Sequence, residues 1–434
     1  MNTIVAYRHA ESLLSPPEQW DALAGGVPFR QTVWMKPWWN QFGTQKETLI
    51  VTVLDEDDTL CGILPLQRDG RHGWRTVAGG MVCTDHVSML ARPEDRQVVA
   101  EAIADFLIDN AVDPQLGWDH LHFEGTLAGD PAMRCLVAEL EQRGASSKLT
   151  TRMNTWFIPC RDDWDGYLAS CSRRTRRRYR DLVKRLETKP LFSVRTPETE
   201  AMVIEAVEKL MELHQRHWVS QGEPGSYARS EMKTFTVATA VAAFRRDRLF
   251  LPMLVWSDPE SGMEKTIATQ LHFIGEDQRW YCFSTAVDYD HSALSPGVLL
   301  NAFVLKSAHD QDCSGIDFMR GDELYKEHLG AQSIPLLEIG ISAPTLRGRV
   351  DSIAREGIFV CKQALRQRLG RPLVRPLTTA EAFDPKYLEL LPCPIETHPV
   401  ENGEDLFIDS EDRPMILPIS LGWANAALDA PVRR

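Results

Sequence analysis

A cluster of polar side chains follows a short apolar segment in the last third of the chain. The stretch G-I-D-F-M-R-G-D-E-L-Y-K at 315–326 predicts a buried strand that ends in a tight polar turn. Binding and catalytic groups are often carried by loops that a buried element holds in place, so this turn is the first candidate site. Its polar members are Asp317, Arg320, Asp322, Glu323, Tyr325 and Lys326.

Two interpretations of this turn are open. Arg320 can hold a carboxylate in a bidentate pair that fixes the shape of a loop without any substrate. Alternatively, Asp317, Arg320 and Lys326 contact an acceptor substrate, and Asp322 or Glu323 acts as a general base. The residue types favour neither interpretation over the other.

The elements that must position this turn fall into two units of similar order. Residues 1–160 predict an α/β unit with a Trp-rich segment, and residues 161–343 repeat its order of elements. The first unit contains Trp34, Trp38, Trp39 and Phe42, a hairpin of strands at 49–54 and 60–66, a helix at 98–107, a strand at 120–124 and a helix at 132–143. The tryptophans are predicted as core residues first, and as aromatic contacts to an acceptor second.

The second unit supplies the candidate site. Its predicted elements are a basic helix at 172–186 ended by Lys189-Pro190, a helix at 199–219, strands at 249–256, 266–274, 279–285 and 315–319, and an apolar helix opened by Ser295-Pro296-Gly297. The strand at 266–274 alternates, which predicts that Ile267, Thr269, Leu271 and Phe273 share one face of a half-buried strand.

Residues 344–434 predict a helix at 346–369, stopped by Gly370, and an irregular Pro-rich tail. The sequence as a whole therefore predicts an α/β fold of the α+β type. In it, two units each form a mixed central sheet flanked by helices, followed by a C-terminal extension. The matching order of elements suggests a duplicated domain.

Composition narrows the functional classes. The formal net charge of −13 and the pI of about 5.5 disfavour a nucleic-acid partner. The cysteines show no C-x-x-C pair, and no His cluster has metal-ligand spacing, which predicts reduced, mostly buried thiols and no metal site. They are Cys61, Cys83, Cys135, Cys160, Cys171, Cys282, Cys313, Cys361 and Cys393. The longest strongly apolar run, 249–256, is too short to cross a bilayer, and no signal peptide is visible, so a cytoplasmic location is expected.

The basic helix is the strongest local departure from the acidic composition. Residues 173–185 carry seven Arg and one Lys against one Asp. Such a run is commonly a solvated face, but Tyr179, Leu182, Val183 and Leu186 give this helix an apolar stripe that would anchor it. Arg177 and its neighbours could then meet a phosphate-bearing ligand: a CoA-like donor, a nucleotide- or lipid-linked sugar, or acidic lipid headgroups.

The second unit resembles the GNAT superfamily, in particular the CelD-like (cellulose-biosynthesis-type) or BioF-like acetyltransferases related to the FemAB peptidyltransferases. The resemblance rests on R-R-T-R-R-R-Y-R-D-L-V-K-R-L-E at 173–187, L-H-Q-R-H-W at 213–218, S-P-G-V-L-L at 295–300 and D-F-M-R-G-D-E-L-Y-K at 317–326. The Trp-rich segment and G-I-L-P-L at 62–66 are similar to the degenerate N-terminal half of that family. The resemblance thus implies two tandem GNAT-like domains.

The resemblance also implies a chemistry and its residues. In GNAT folds the strand corresponding to 279–285, with Phe283 and Ser284, lends backbone N–H groups to a thioester. The turn Ser295-Pro296-Gly297 would hold the pyrophosphate of acyl-CoA, in the first place acetyl-CoA, at a helix N-terminus. One departure is that residues 289–294 replace the usual Gly-rich loop, which makes acyl transfer better supported than CoA as the donor.

Two further positions keep alternatives open. Tyr325 looks like the tyrosine that protonates the departing thiolate in this superfamily, with one extra residue before the glycine; otherwise it packs at a helix start. His214 and Trp218 lie one helical turn apart, either as core residues or as substrate contacts.

The sequence leads to three hypotheses. The first is an N-acyltransferase that acts on an amine of a sugar or of a cell-envelope or exopolysaccharide precursor, with a small-molecule donor and acceptor. The second is a FemAB-like peptidyltransferase that depends on aminoacyl-tRNA, and the third is a non-catalytic scaffold in polysaccharide biosynthesis. Peripheral association with a membrane or an envelope synthase stays open, and no transmembrane segment is expected.

Overall fold

A computed structural model describes residues 3–8, 17–79, 82, 84–160, 163–189, 191–311, 313–392 and 415–417. Of the features predicted above, Cys83, Pro190, Cys393 and the tail at 393–414 and 418–434 lie outside the described residues.

One sheet of 16 strands runs through both predicted units. In the first unit the strands are β1 (Thr3–Tyr7), β2 (Thr48–Leu54), β3 (Leu60–Arg68), β4 (Gly73–Thr76), β5 (Leu90–Ala91), β6 (His120–Leu127) and β7 (Ser146–Pro159). The later strands are β8 (Phe192–Arg195), β9 (Leu249–Phe250), β10 (Met253–Ser257), β11 (Glu264–Ile274), β12 (Arg279–Val287), β13 (Gly315–Arg320), β14 (Gln332–Ser342), β15 (Arg375–Leu377) and β16 (Met415–Leu417).

Helices cover both faces of this sheet. In the first unit they are α1 (Glu18–Leu23), α2 (Thr32–Phe42), α3 (Arg96–Asp109) and α4 (Pro131–Gln142). The second unit contains α5 (Trp164–Ser170), α6 (Arg173–Thr188), α7 (Glu200–Ser220), α8 (Ser230–Phe244), α9 (Pro296–Asp310) and α10 (Leu324–His328). The extension contains α11 (Leu346–Arg368) and α12 (Thr379–Ala382). The predicted mixed sheet flanked by helices is confirmed.

The two units share strands where they meet. The strand order there is β6-β14-β7-β13, so β14 of the second unit lies between the last two strands of the first. All pairings across this seam are antiparallel. Because each unit completes the sheet of the other, the units are expected to unfold together rather than independently.

Two predicted strands differ in detail, and helix α8 has no predicted counterpart. The strand expected at 249–256 is divided into β9 and β10 by Pro252, which cannot donate a ladder hydrogen bond. Helix α8 was not predicted, because its apolar residues are spread around the helix without a clear stripe. The expectation that β11 is half-buried with one apolar face is wrong. It is buried on both faces, and a bulge beside Ile267 separates that residue from Leu271, which packs in a different cluster.

The packing around β12 explains the tryptophans of α2. Trp34 is fully buried and makes edge-to-face contacts with Phe235 of α8 at 4.8 Å and with Phe283 of β12 at 5.2 Å. Trp38 and Trp39 are also buried. The predicted core role of these residues is therefore confirmed, and the core they join spans both units.

A glycine at the seam permits a close approach between strands. A Cβ atom on Gly315 of β13 would lie 2.3 Å from the ring of Phe157 and 2.7 Å from the carbonyl oxygen of Ile158, both on β7. We expect Gly315→Ala to lower the free energy of unfolding by about 1–3 kcal/mol, measured by urea denaturation. Gly340→Ala is the control, since the nearest atom to its Cβ is 3.9 Å away. Equal losses for both variants would contradict the steric explanation.

Candidate active site

Strands β12 and β13 form a cleft where they part. They run parallel but pair only between Arg279–Tyr281 and Gly315–Asp317. Beyond these residues β13 no longer pairs with β12 in the described part of the chain. A central strand is normally buried throughout, yet Phe283, Ser284 and Thr285 are half-buried. We call this opening the β12–β13 cleft.

A bulge lies on β12 beside the cleft. Its pairing with β11 passes from Leu271 opposite Ser284 to His272 opposite Cys282, which leaves Phe283 without a partner. Both Phe283 and Ser284 then point toward the α7–α8 side, while the Cys282 thiol and the Thr285 hydroxyl are 3.4 Å apart on the other side. Since a bulge redirects backbone groups out of the ladder, this segment can present N–H donors to a ligand.

The start of α9 adjoins the end of β12. A Cβ atom on Gly297 would lie 3.2 Å from the side chain of Val287. The cap residue Ser295 is left-handed, with φ of 54°, and its carbonyl oxygen accepts from the N–H groups of Val298 and Leu299. Pro296 has no N–H, and the N–H of Gly297 has no backbone acceptor within the described residues. The helix start therefore offers one free donor and its positive dipole end to an anion.

A buried carboxylate holds the turn before α9. The side chain of Asp288 is fully buried and binds Arg216, Lys265 Nζ at 2.9 Å and His291 Nδ1 at 3.1 Å. Burial alone would raise the pKa of Asp288, but its hydrogen bonds to Lys265 and to the Asp290 N–H, with the charge of Arg216, bring that pKa below its usual value. Arg216 and Lys265 are thus two cations fixed beside the turn Tyr289–Leu294. This turn takes the place of the Gly-rich loop that the resemblance would lead one to expect.

We expect Asp288→Asn to lower the free energy of unfolding by about 1–3 kcal/mol, because the amide removes the buried negative charge that Arg216 and Lys265 share. Thermal denaturation of the two proteins at pH 7 measures the difference. The pKa of Asp288 is depressed by folding, so its contribution persists above the unfolded pKa of about 3.9 and fades as the pH falls through the lower folded value. A difference that is unchanged at pH 3 would contradict this assignment.

Tyr325 lies at the exit of β13. Its ring meets Phe318 edge-to-face at 6.4 Å, and the residue is 38% exposed. Burial of the phenol raises the pKa of Tyr325 well above its ordinary value, and the neighbouring Cys282 thiol and Glu323 carboxylate add to this effect. The phenol therefore carries its proton at neutral pH. Because β12 and β13 are parallel, Tyr325 and the start of α9 both follow the carboxyl ends of the strands that form the cleft.

Lys326 holds the polar turn together. It is 2% exposed, and its Nζ donates to the carbonyl oxygens of Met319 at 3.2 Å, Arg320 at 3.0 Å and Gly321 at 3.1 Å. The same Nζ is 2.9 Å from the carboxylate of Glu323. This ammonium fixes the fold of the turn from within, whereas Glu323 itself remains open to solvent.

Asp322 faces β7 rather than the interior of the turn. Its Oδ1 accepts from Asn154 Nδ2 at 2.8 Å and from Trp156 Nε1 at 3.1 Å. The side chain of Asp322 is exposed to solvent. Asp322 and Glu323 are thus both accessible carboxylates near Tyr325, as a general base must be.

Asp317 and Arg320 point toward the first unit. Asp317 is fully buried, with its Oδ2 3.0 Å from His86 Nε2 and its Oδ1 accepting from Thr155 Oγ1 at 2.5 Å. Arg320 Nε donates to Asp85 Oδ1 at 2.9 Å. The geometry of Asp317 and Arg320 is that of a clamp between the units. Neither Asp85 nor His86 was singled out in the sequence, since both lie more than 200 positions from their partners.

Tyr227 links helix α7 to β12, and no pattern in the sequence indicated this role. Trp218 Nε1 donates to His214 Nε2 at 3.0 Å, and the His214 ring meets Tyr227 edge-to-face at 4.9 Å. The buried hydroxyl of Tyr227 bonds with Ser284 in the bulge. Burial of His214 lowers its pKa, so the imidazole is neutral at pH 7. Tyr227 therefore connects His214 and Trp218 to the bulge of β12 beside the cleft.

Arg177 is placed apart from the other candidates. It is on the exposed face of α6, with Asp181 Oδ2 3.9 Å from its Nε. Helix α6 packs on α9 through Tyr179 and Val183, as its apolar stripe predicted. The four described cavities are lined by other residues than Arg177 and those of the β12–β13 cleft.

Three further expectations concern the cysteines, metal binding and membrane crossing. Seven cysteines are described and all are free; Cys61, Cys282 and Cys313 are buried, and Cys361 is exposed. Within the described part of the chain, no His, Cys, Asp and Glu side chains form a group of three that could hold a metal ion. In that part, too, no helix combines the length and the apolar content that a bilayer crossing needs.

Residues 173–327 match the acetyltransferase (GNAT) domain family. The match runs from the start of α6 into α10 and so contains the whole cleft. The predicted α/β fold, a mixed sheet flanked by helices with a GNAT-type second unit, is confirmed, whereas a GNAT-like first unit stays a prediction.

Comparison with solved structures gives further likenesses. FemX shares 11% identity over 77% of this chain and 97% of its own, with a TM-score of 0.56. A protein of unknown function from Bacteroides thetaiotaomicron VPI-5482 shares 10% identity over 77% and 96%, with a TM-score of 0.47. A tandem GNAT protein of the clavulanic acid pathway shares 15% identity over 80% and 100%, with a TM-score of 0.44. No curated protein matches the chain. At such identity the FemX likeness shows the fold alone.

Proposed function

We propose that the chain is an N-acyltransferase. It moves an acyl group, acetyl in the simplest case, from acyl-CoA to an amine of a sugar or of another cell-envelope or exopolysaccharide precursor. The observation that carries this proposal is the β12–β13 cleft, because it joins a bulged strand, a helix start and a protonated phenol at one end of two parallel strands. The family match over residues 173–327 supports it.

The residues present fit an anionic thioester donor, which supplies an activated acyl group when bound. The start of α9, with the Gly297 N–H, would hold a phosphate, and Arg216 and Lys265 lie beside the preceding turn. Backbone N–H groups near Phe283 would stabilise negative charge on the carbonyl oxygen. This is a sparser anion site than a Gly-rich loop provides.

Proton movements complete the reaction. Glu323 or Asp322 would accept the proton that the amine loses as its nitrogen bonds to the acyl carbon. Tyr325 would give its proton to the sulfur as the carbon–sulfur bond breaks, and would regain one from solvent. Both carboxylates are exposed and reach solvent, which allows the accepted proton to leave.

The test is turnover by the purified chain. We expect release of free thiol from acetyl-CoA in the presence of amino sugars, followed photometrically, with the acylated amine identified by mass spectrometry. A series of longer acyl-CoA donors defines the acyl length. Neither turnover nor binding with any member of the series would reject an acyl-CoA-dependent function.

A second candidate is aminoacyl transfer from charged tRNA to an envelope precursor. The observation that favours it is the exposed row Arg173, Arg174, Arg177, Arg178 and Arg180 on α6, which could contact phosphates. Filter binding of charged and uncharged tRNA, at several salt concentrations, separates it from the first candidate. If this chain binds charged tRNA more weakly than an unrelated acidic protein does, aminoacyl transfer is rejected. For either reaction we place the protein in the cytoplasm, to be checked by cell fractionation.

A further inference from the structure

Helix α11 turns one row of apolar side chains away from the molecule. Leu346 is 83% exposed, Val350 68%, Ile353 74% and Val360 57%. Their spacing puts them on one face, together with smaller residues, and we call this face the outer stripe. It consists of Leu346, Val350, Ile353, Ala354, Gly357, Val360, Cys361 and Ala364. A continuous apolar surface of this kind usually marks an interaction site.

The opposite side of α11 is already occupied by its own chain. Arg355 donates to His120 on β6 at 2.8 Å, and Arg366 donates to the Pro372 carbonyl oxygen at 3.0 Å. Lys148 of β7 lies 3.4 Å above the Phe359 ring. A groove of about 630 Å³ separates the helix from the sheet, and Ile358, Phe359 and Leu365 of α11 line it. Helix α11 thus carries apolar side chains on two sides, one row facing the groove and the outer stripe facing away from the molecule.

We propose that the outer stripe is the interface of a homodimer, in which α11 packs antiparallel on α11 of a second copy about a two-fold axis at Gly357. Side-chain size along the stripe carries the argument. Val350 and Ile353 in the first half are larger than Ala364 and Cys361 in the second half, and nearer the centre Ala354 is smaller than Val360. Antiparallel pairing centred on Gly357 sets Val350 opposite Ala364, and Ile353 opposite Cys361, so that large residues meet small ones. Parallel pairing would set large on large and small on small.

A membrane fits this stripe less well than a second copy does. Helices that lie in a bilayer interface carry Trp, Phe and Leu on the apolar face and cations free to reach headgroups. Here the stripe is mostly Val, Ile, Ala and Gly and contains neither Trp nor Phe, although α11 also has the exposed cations Arg349, Lys362 and Arg368. The net charge of −13 also opposes approach to anionic lipid.

The two-fold axis makes a geometric prediction at Gly357. No atom lies within 4 Å of a Cβ built there. For helix axes about 8–10 Å apart and a Cα radius of about 2.3 Å, facing Cα atoms at the axis are about 3–5 Å apart, which is close enough for a disulfide. The two copies of Cys361 would instead be about 12 Å apart along the helix, beyond disulfide reach.

The first test is disulfide formation by the full chain. In a background with Cys83, Cys361 and Cys393 replaced by Ser, Gly357→Cys is expected to form a covalent dimer under mild oxidation. A chain that keeps Cys361 but has Gly357 should stay uncrosslinked. Crosslinking through Cys361 in place of position 357 would overturn the antiparallel arrangement, and crosslinking through neither would overturn the interface.

The second test is mass in solution. Light scattering should give twice the 49.1 kDa chain mass for the wild type, and Ile353→Glu should raise the dimer dissociation constant roughly 100-fold or more. Met263→Glu is the matched control, since Met263 is 70% exposed on a separate turn, and it should remain dimeric. A monomeric wild type at tens of micromolar would overturn the proposal. A monomer that instead floats with vesicles containing phosphatidylglycerol, and loses this with Ile353→Glu, would assign the stripe to membranes.

Discussion

Tyr325→Phe is expected to lower kcat of acyl transfer by about 100- to 1,000-fold without weakening binding of the acyl donor. The phenol stands at the carboxyl end of β13 and keeps its proton because burial raises its pKa. Phenylalanine preserves the edge-to-face contact with Phe318, so the fold should be retained. Steady-state kinetics, with donor affinity from calorimetry, measure the two effects separately.

The pH profile gives an independent check on Tyr325. A phenol whose pKa is raised by folding stays protonated through the neutral range, so loss of its proton should not limit the wild-type rate below about pH 10. Tyr387→Phe is the control, because Tyr387 packs against the core of the first unit, and it should leave kcat unchanged. Full turnover by Tyr325→Phe would show that another group protonates the sulfur. A wild type that binds donors but transfers no acyl group would instead favour the scaffold hypothesis.

Local patterns in the sequence were enough to predict the elements that carry this site. Proline at the first position of α9, the apolar run of β13 and the polar turn after it are each properties of adjacent residues. Helix and strand periodicities are likewise local, which is why the hairpin β2–β3 and the helices α3, α4, α6 and α7 lie close to their predicted ranges. The assignment of roles to the site residues stays a prediction.

What the sequence could not supply depends on contacts between distant segments. The bulge at Phe283 arises from register with β11. The β12–β13 cleft exists because β13 stops pairing with β12 after Asp317, while its other edge still pairs with β7 at Arg320. Tyr227 and Asp288 acquire their importance only through neighbours that the fold brings to them. In the sequence, Phe283 is an apolar residue in the middle of a strand and Asp288 is an aspartate before a turn. Neither pattern indicates a bulge or a buried ion cluster.

Removing the carboxylate of Asp317 is expected to have the largest effect on stability. We expect Asp317→Ala to lower the free energy of unfolding by about 3–5 kcal/mol, measured by urea denaturation. The side chain is fully buried, and its loss leaves His86, also fully buried, without the acceptor 3.0 Å from its Nε2. The N–H of Met319, whose φ of 56° follows the strand's departure from β12, loses its acceptor at 2.7 Å.

The double variant isolates the contact itself. If the pair acts as one clamp between the units, the combined loss in His86→Ala, Asp317→Ala should be smaller than the sum of the single losses. Additive losses would mean that each residue stabilises its own unit independently. Thr155→Val removes the 2.5 Å hydrogen bond to the other carboxylate oxygen of Asp317. Its loss of stability shows how much that contact contributes apart from His86.

The acid side of the stability profile distinguishes a clamp from an acceptor contact. Burial would raise the pKa of Asp317, but the hydrogen bond and charge of His86, with Thr155, hold that pKa below its usual value. A depressed carboxyl pKa stabilises the fold above the unfolded value of about 3.9, and this contribution is lost as the pH falls through the folded value. The stability gap between the wild type and Asp317→Asn should therefore narrow below about pH 4. If Asp317 instead contacts the acceptor substrate, the wild type and Asp317→Asn should be equally stable at every pH, and only the KM for the amine should rise. That result would assign Asp317 to substrate binding.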